Sequence, residues 1–423
     1  MTHTVLTFIA KVKPDQVAPL TQLLAKILED PETNAYVPFR SLSLLHFASF
    51  ALHQSPGTPE YGPYLIFENN FDGELNDYLE DLYIHAAAGL HQIYGSCLDY
   101  TVKNASDRQG IINYLRAHVV LPNAYHIGNT GRSVTRIQQE QTLRDALESH
   151  ADTLVQRGQP STPDALLASF QQFVRGDQKW SWIPGVAPRQ TFAEQFKNWF
   201  KLILAAVIAL VLLPIWLLPV IICLLVLRYK ESTDPVQADQ ADSDKIKQFM
   251  QTENRTQSVQ NHMVSITIVK HGWLRRTALW SVLWAVNLLA RARATHGELS
   301  GIPSIHFAHW SMIDNGRRLL FLSNFDGSWE NYLDDFIDKA AVGLTGVWSN
   351  TLNFPRTYFL VFGGATDGPR FKAVARDGQT VTNAWYSAYR DQTVQGIDNN
   401  STIRENLLQP LDKAAAAKLL QCL

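Results

Sequence analysis

Apolar and polar positions alternate with period two over His3–Lys11, Leu45–Leu52 and Tyr64–Phe71, which predicts three strands. Between the first two, Val17, Leu20, Leu23, Leu24, Ile27 and Leu28 recur at helical spacing. After the third, Leu75, Leu79, Leu82, Tyr83, Ala86, Leu90 and Ile93 form one helical stripe. The pattern then recurs. His262–Lys270 matches the first strand, with His262 set against His3, and a Trp-rich helix follows, carrying Trp273, Trp280 and Trp284. Ile305–Met312 and Arg318–Phe325 match the next strands, and Trp329, Leu333, Phe336, Ile337, Ala340, Leu344 and Val347 repeat the stripe. Asn123-Ala124-Tyr125 matches Asn383-Ala384-Trp385, and Val134, Ile137, Thr142 and Arg144 match Val394, Ile397, Thr402 and Arg404, predicting a fourth strand and a closing helix.

This strand–helix–strand–strand–helix–strand order is that of the ferredoxin-like unit. The expected class is therefore α+β, with two ferredoxin-like (βαββαβ) repeats. A sheet with helices on one face must cover the other. A second copy in the same chain does so as a pseudo-dimer; the alternative is pairing with another chain in a homo-oligomer. Asp314-Asn315-Gly316 signals a tight hairpin in the second copy, where the first has a longer loop with Pro56 and Pro59. The expected division is 1–155 first repeat, 156–195 linker with a short helix, 196–230 membrane segment, 231–260 polar flexible linker, 261–410 second repeat and 411–423 helical tail.

Leu202–Leu227 carries no charge and is long enough to enter a bilayer. Lys197 and Lys201 precede it, Arg228 and Lys230 follow, and Pro214 and Pro219 lie within it. A single span would put the copies on opposite sides, whereas a re-entrant hairpin keeps both on one side. Basic residues at both ends favour the cytoplasmic side for both repeats. Trp273, Trp280 and Trp284 are expected to pack on the sheet; the alternative is an interfacial contact with Arg275, Arg276, Arg291 and Arg293. The acidic stretch with Glu231, Asp234, Asp239, Asp242 and Asp244 reads as the flexible tether. The N-terminus has a short alternating stretch without a basic region and reads as a strand, not a signal peptide.

The formal net charge of −2 gives no field to recruit nucleic acid. Cys97, Cys223 and Cys422 are too scattered for a disulfide framework or zinc ribbon, and no metal site is expected. No dinucleotide, P-loop, zincin, nucleophile-elbow or kinase motif occurs.

His46 and His306 stand at matching strand positions. Alternation sets His46 on a face with Ala48 and Phe50, and His306 with Ala308 and Trp310. If that face lines a cavity between the sheets, the imidazoles could ligate haem or shuttle a proton; the competing reading is a pair of hydrogen-bonded core histidines. Phe50, Trp310, Asn70 and Asn324 are the candidate lining residues. His309, three residues on, should face away from His306. Asp72 and Asp326 precede the long striped helices and are expected to cap them, with Gly73 and Gly327 permitting the turn. Glu80, Asp81, Asp334 and Asp335 read as a solvated acidic helix face.

The blocks Leu45–Phe50 with Leu65–Leu82 and Ile305–Trp310 with Leu319–Phe336 resemble the dimeric α+β-barrel superfamily, in which ferredoxin-like units pair sheet to sheet. That superfamily includes dye-decolourising peroxidases, chlorite dismutase-like proteins and small monooxygenases. Gly364-Ala365-Thr366-Asp367-Gly368 fits the peroxidases' GxxDG pattern, in a loop without equivalent in the first copy. The whole chain also looks like a family of membrane-inserted tandem repeats. Two functions are implied: a membrane-anchored module binding a small apolar ligand or a protein partner near the bilayer, or a haem- or oxygen-dependent oxidoreductase using His46 or His306.

Overall fold

On β1 (His3–Lys11), Leu6, Phe8 and Ala10 face a helix-covered core, while Val5 and Ile9 face the other way. The computed structural model describes residues 3–55, 61–158, 162–185, 192–235, 243–253, 258–293 and 301–423. Pro56, Pro59, Asp239 and Asp242, and the side chains of Lys197, Arg291 and Arg293, lie outside the described residues.

The N-terminal half continues with α1 (Val17–Glu29), β2 (Leu45–His53), β3 (Tyr64–Asp72), α2 (Leu75–Gly95), α3 (Arg108–Ala117), β4 (Val119–Val120), β5 (Ala124–Ile127) and α4 (Val134–Gln156). The middle of the chain holds α5 (Pro163–Arg175), α6 (Phe192–Val211), α7 (Leu213–Thr233) and α8 (Ser243–Glu253). The C-terminal half runs β6 (Gln260–Ile268), α9 (Trp273–Arg293), β7 (Ile305–Ile313), β8 (Arg318–Asp326), α10 (Trp329–Trp348), β9 (Thr357–Tyr358), β10 (Phe362–Gly363), α11 (Gly368–Gly378), β11 (Gln379–Thr380), β12 (Thr382–Ser387), α12 (Val394–Asn406) and α13 (Lys413–Leu420). The GxxDG segment does have a counterpart: Asp367 precedes α11 as Asp107 precedes and caps α3.

The protein is α+β with two five-stranded antiparallel sheets, β12-β2-β3-β1-β4 and β11-β6-β8-β7-β5. The expected fourth strand is in fact two. Its first piece, β4 or β11, pairs with the first strand of its own half. Its second piece crosses over: β5 pairs with β7, and β12 with β2. The repeated Asn-Ala-aromatic block makes this crossing. Asn123 Oδ1 accepts from Met312 N and Asn383 Oδ1 from Leu52 N, both at 2.7 Å, so each Asn ties its strand to the other half's edge.

Register corrects the match of first strands. His3 pairs with Asp72, but the residue pairing with Asp326 is Gln260; His262 pairs with Asn324, the place Val5 takes opposite Asn70. Setting His262 against His3 slips the two halves by two residues, which preserves every face and so leaves the hydrophobic pattern unchanged.

Each half has a helix-side core. One joins Phe8, Phe50, Phe67, Leu79 and Leu90; the other joins Trp310, Phe321, Phe336 and Trp348. Between the sheets, Ala51, Tyr64, Ile66, Val264, Ile266 and Leu322 form one cluster, and Val5, Phe47, Phe307 and Tyr389 belong to another. The segment expected as a linker contributes α5 to a helical layer with α4, α12 and α13, built on Leu143, Leu147, Phe170, Ile403 and Leu419.

α6 and α7 meet at Leu212. α7 is long and apolar enough to cross a membrane, and only 6% of its most apolar stretch is buried. The described parts of the expected flexible tether are anchored instead. Glu231 is buried, Asp234 pairs with Lys270 and Arg275 at 2.7 Å each, and Glu253 on α8 pairs with the buried Arg376. Charged residues there make specific pairs, so their polarity does not mark a free coil.

Candidate functional site

Both second strands contain an irregularity of register, between Leu45 and Phe47 and between Ile305 and Phe307. A bulge inserts a residue and resets the side-to-side alternation beyond it. Ala48 and Phe50 therefore belong to the helix-side core, Phe50 stacking on Phe67 at 4.1 Å, and Ala308 and Trp310 belong to the equivalent core. His46 and His306 do not share their face. Phe50 and Trp310 line no space beside the histidines. The two imidazoles instead both approach one phenol, Tyr389, at ring distances of 5.7 and 6.0 Å.

Asp72 organises the first group. Its Oδ1 lies 3.1 Å from His46 Nε2 and 3.0 Å from His3 Nδ1, and its Oδ2 accepts from Val134 N at 3.0 Å, at the start of α4. Asp326 repeats the arrangement, with Oδ1 2.7 Å from His306 Nε2 and Oδ2 accepting from Val394 N at 2.8 Å. The two aspartates thus serve the closing helices, not the striped helices that follow them. α2 begins at Glu74 without a side-chain cap, and α10 is capped by Ser328. Gly73 and Gly327 take φ of +94° and +81°, as their turn role requires. Burial pushes the Asp72 carboxyl up, but hydrogen bonds from His3 and His46 outweigh it and leave its pKa lowered. Burial lowers that of His46, against the pull of Asp72.

Glu68 forms a second group that the sequence reading missed. It is fully buried on β3, between the sheets. Its Oε2 lies 2.8 Å from His262 Nε2 and accepts from Ser49 Oγ at 3.1 Å; its Oε1 accepts from Asn70 Nδ2 at 3.0 Å and Asn324 Nδ2 at 3.2 Å. His309 stands 3.7 Å away and is bonded through Nε2 to Thr7 Oγ1 at 3.0 Å. Asn70 and Asn324, expected near a cavity, converge on one carboxylate oxygen. Burial raises the Glu68 pKa, but His262, His309 and Asn70 together bring it down to about 2; burial lowers that of His309 to about 4. Glu68 is therefore charged and His309 neutral at neutral pH. The available signal was a carboxylate in the middle of a strand, on the same face as the apolar Tyr64 and Ile66 and the polar Asn70 and Asp72. His309 faces the inter-sheet side with Ser311, not away from it, because the bulge falls before Phe307.

His3, His46 and Asp72 are close enough to be a metal set, but their hydrogen bonds argue otherwise. Gly131 N donates to His3 Nε2 at 2.8 Å, which fixes the proton on Nδ1, facing Asp72. A metal on Nδ1 would require a proton on Nε2, aimed at the Gly131 N–H. His46 is occupied as well, by Asp72 and by Tyr389 Oη at 2.8 Å. Haem does not fit either. His46 and His306 are packed among Phe47, Phe307 and Tyr389. A cavity under α10 and α11, lined by Phe321, Tyr332, Phe336, Trp348 and Phe371, encloses about 20 Å³, room for a water and not for a macrocycle, and no histidine lines it.

The acidic faces of α2 and α10 are paired surfaces: Glu80 with Arg108, Asp81 with His85, Asp334 with Lys372 and Asp335 with Lys339. The buried Glu68 joins one half to the other, whereas Asp72 and Asp326 each bond within their own half. No protein-family model, curated protein or solved structure matches the chain, so its chemistry rests on this geometry alone.

Proposed function

We propose that the chain is a membrane-anchored platform for a protein partner. Its two ferredoxin-like halves form an intramolecular pseudo-dimer of the dimeric α+β-barrel kind, and the buried carboxylate–histidine groups act as its clasp. The crossing of β5 and β12 carries this reading. Halves that exchange strands lie on the same side of any bilayer, so an apolar segment between them must return to the side it left. α6 and α7, breaking at Leu212, form the two limbs of such a re-entrant hairpin. Phe200, Ile203, Leu210, Ile215 and Leu218 are exposed along them, a surface that water disfavours. Lys201 before the apolar run and Arg228 and Lys230 after it favour the cytoplasmic side for both halves. A protein partner suits the platform better than a small apolar ligand, because the inter-sheet space is filled and a pocket for such a ligand needs several hundred Å³ (about 300 or more).

Impermeant maleimide labelling tests this in a Cys223→Ser/Cys422→Ser background, where the remaining Cys97 is buried. Cysteines at exposed Ile84 and Val342 should label from the same face of sealed vesicles. Labelling from opposite faces would overturn the reading.

A further inference from the structure

Resting on that anchor, we infer that the C-terminal half alone lies on the bilayer, through a second contact made by α9 and the β9–β10 hairpin. Its occupant is the layer where phospholipid headgroups meet acyl chains. The helix α9 turns Leu279 and Leu283 fully inward, so its tryptophans are left outside: Trp273 is 67% exposed, Trp280 53% and Trp284 49%. They do not pack on the sheet as the sequence suggested. Tyr358, Phe359 and Phe362 on the hairpin are 51%, 46% and 64% exposed. The matching helix of the N-terminal half, α1, exposes Thr21, Gln22 and Lys26 instead.

The level of this surface is set by α7. Its apolar run ends at Leu227, and Arg228 then stacks over the Tyr358 ring at 4.7 Å. One turn on, the buried Glu231 carboxylate accepts from Thr357 Oγ1 at 2.6 Å, Phe359 N at 2.9 Å and Leu360 N at 2.8 Å. Phe359 and Leu360 sit at φ of +54° and +65°, a left-handed conformation costly for such side chains, and the Glu231 bonds hold them there. Asp234, where the helix ends, binds Lys270 and Arg275 and so fixes the first turn of α9, which carries Trp273. The exposed aromatics are thus fastened around the point where α7 leaves the apolar layer. Tyr and Trp favour that depth because their rings are apolar and their tips polar.

Spin labels at Trp284→Cys, Phe362→Cys, Ile215→Cys and Ile84→Cys, in the same Cys223→Ser/Cys422→Ser background, test this on the full chain in phosphatidylcholine liposomes. Collision with oxygen and with a water-soluble nickel chelate reports depth. The labels at 284 and 362 should show a several-fold higher oxygen-to-nickel ratio than that at 84, and a lower one than that at 215. A label at 215 deep in lipid with 284 and 362 fully aqueous would overturn the contact and leave the anchor standing. An aqueous 215 would remove the anchor as well. Labels at 284 and 362 shielded from both reagents would replace lipid with a second copy or another protein.

Discussion

Glu68 of the N-terminal half and His262 of the C-terminal half meet at 2.8 Å with both side chains sealed from solvent. The pair joins β3 to β6 across the gap between two sheets. Its counterpart positions are not charged: Leu322 stands where Glu68 does, and Val5 where His262 does. The clasp is therefore asymmetric, one carboxylate serving donors from both halves.

Removing the carboxylate leaves His262, Asn70 and Asn324 without their acceptor. Glu68→Ala should cost about 3–5 kcal/mol of stability, the range for breaking a buried pair from one side. Glu68→Gln keeps an acceptor oxygen and should cost less. Denaturant unfolding in detergent checks the order; an unchanged midpoint for Glu68→Ala would show that the two halves do not depend on this contact.

Acid should loosen the protein in two stages. His309 has a folded pKa of about 4 against an ordinary 6.5 because burial disfavours its charged form. The unfolded chain therefore binds the extra proton first, and stability falls as pH drops from about 6.5 to about 4, by roughly 3 kcal/mol from this group. Glu68, folded near 2 against an ordinary 4.5, contributes stability that is full above about 4.5 and lost as pH falls towards 2. Melting temperature against pH should fall across both windows, and His309→Gln should flatten the upper one.

Asn123 and Asn383 each bind a backbone N–H of the opposite half. Asn383→Ala should leave Leu52 N unpaired at the sheet edge and cost about 1–3 kcal/mol. Amide exchange at Leu52 should quicken in that variant and at Met312 in Asn123→Ala. Unaltered exchange at both would mean that the side chains add nothing to the crossing.

Glu231→Gln weakens the charge-assisted bonds that hold Phe359 and Leu360 left-handed. Their amides should exchange faster and the hairpin should become open to protease, while the Glu68 groups keep their protection. If exchange rises equally across both halves, Glu231 is a general stabiliser and not a local joint.

Haemin titration should give the same visible spectrum for the native chain and for His306→Ala, since His306 is bound to Asp326 and packed against Phe47. A Soret band present in the native chain and shifted or lost in the variant would contradict the packing argument.

Much of the architecture was legible. The stripes of α2 and α10 bury Leu79, Leu82, Ala86 and Leu90, and Leu333, Phe336, Leu344 and Val347, as their spacing implied. Asp314, Asn315 and Gly316 all adopt positive φ in the tight turn. The site was less legible. A bulge has no simple sequence mark, so His46 was set on the wrong face. A two-residue slip is silent to alternation, so His262 was matched with His3 and its carboxylate partner went unseen. Asp72 and Asp326 stand before helices and resembled their caps, yet they bind the helices that open at Val134 and Val394, some sixty residues further on.

The strands, the striped helices and the apolar length of α7 follow from the chain's own pattern, because each depends on periods and lengths within one segment. That β5 and β12 change sheets, that Glu68 meets His262 and that Glu231 ties α7 to a distant hairpin emerges from the fold. Those contacts join residues far apart in the chain, and their energy comes from burying charge against a partner that no local pattern names.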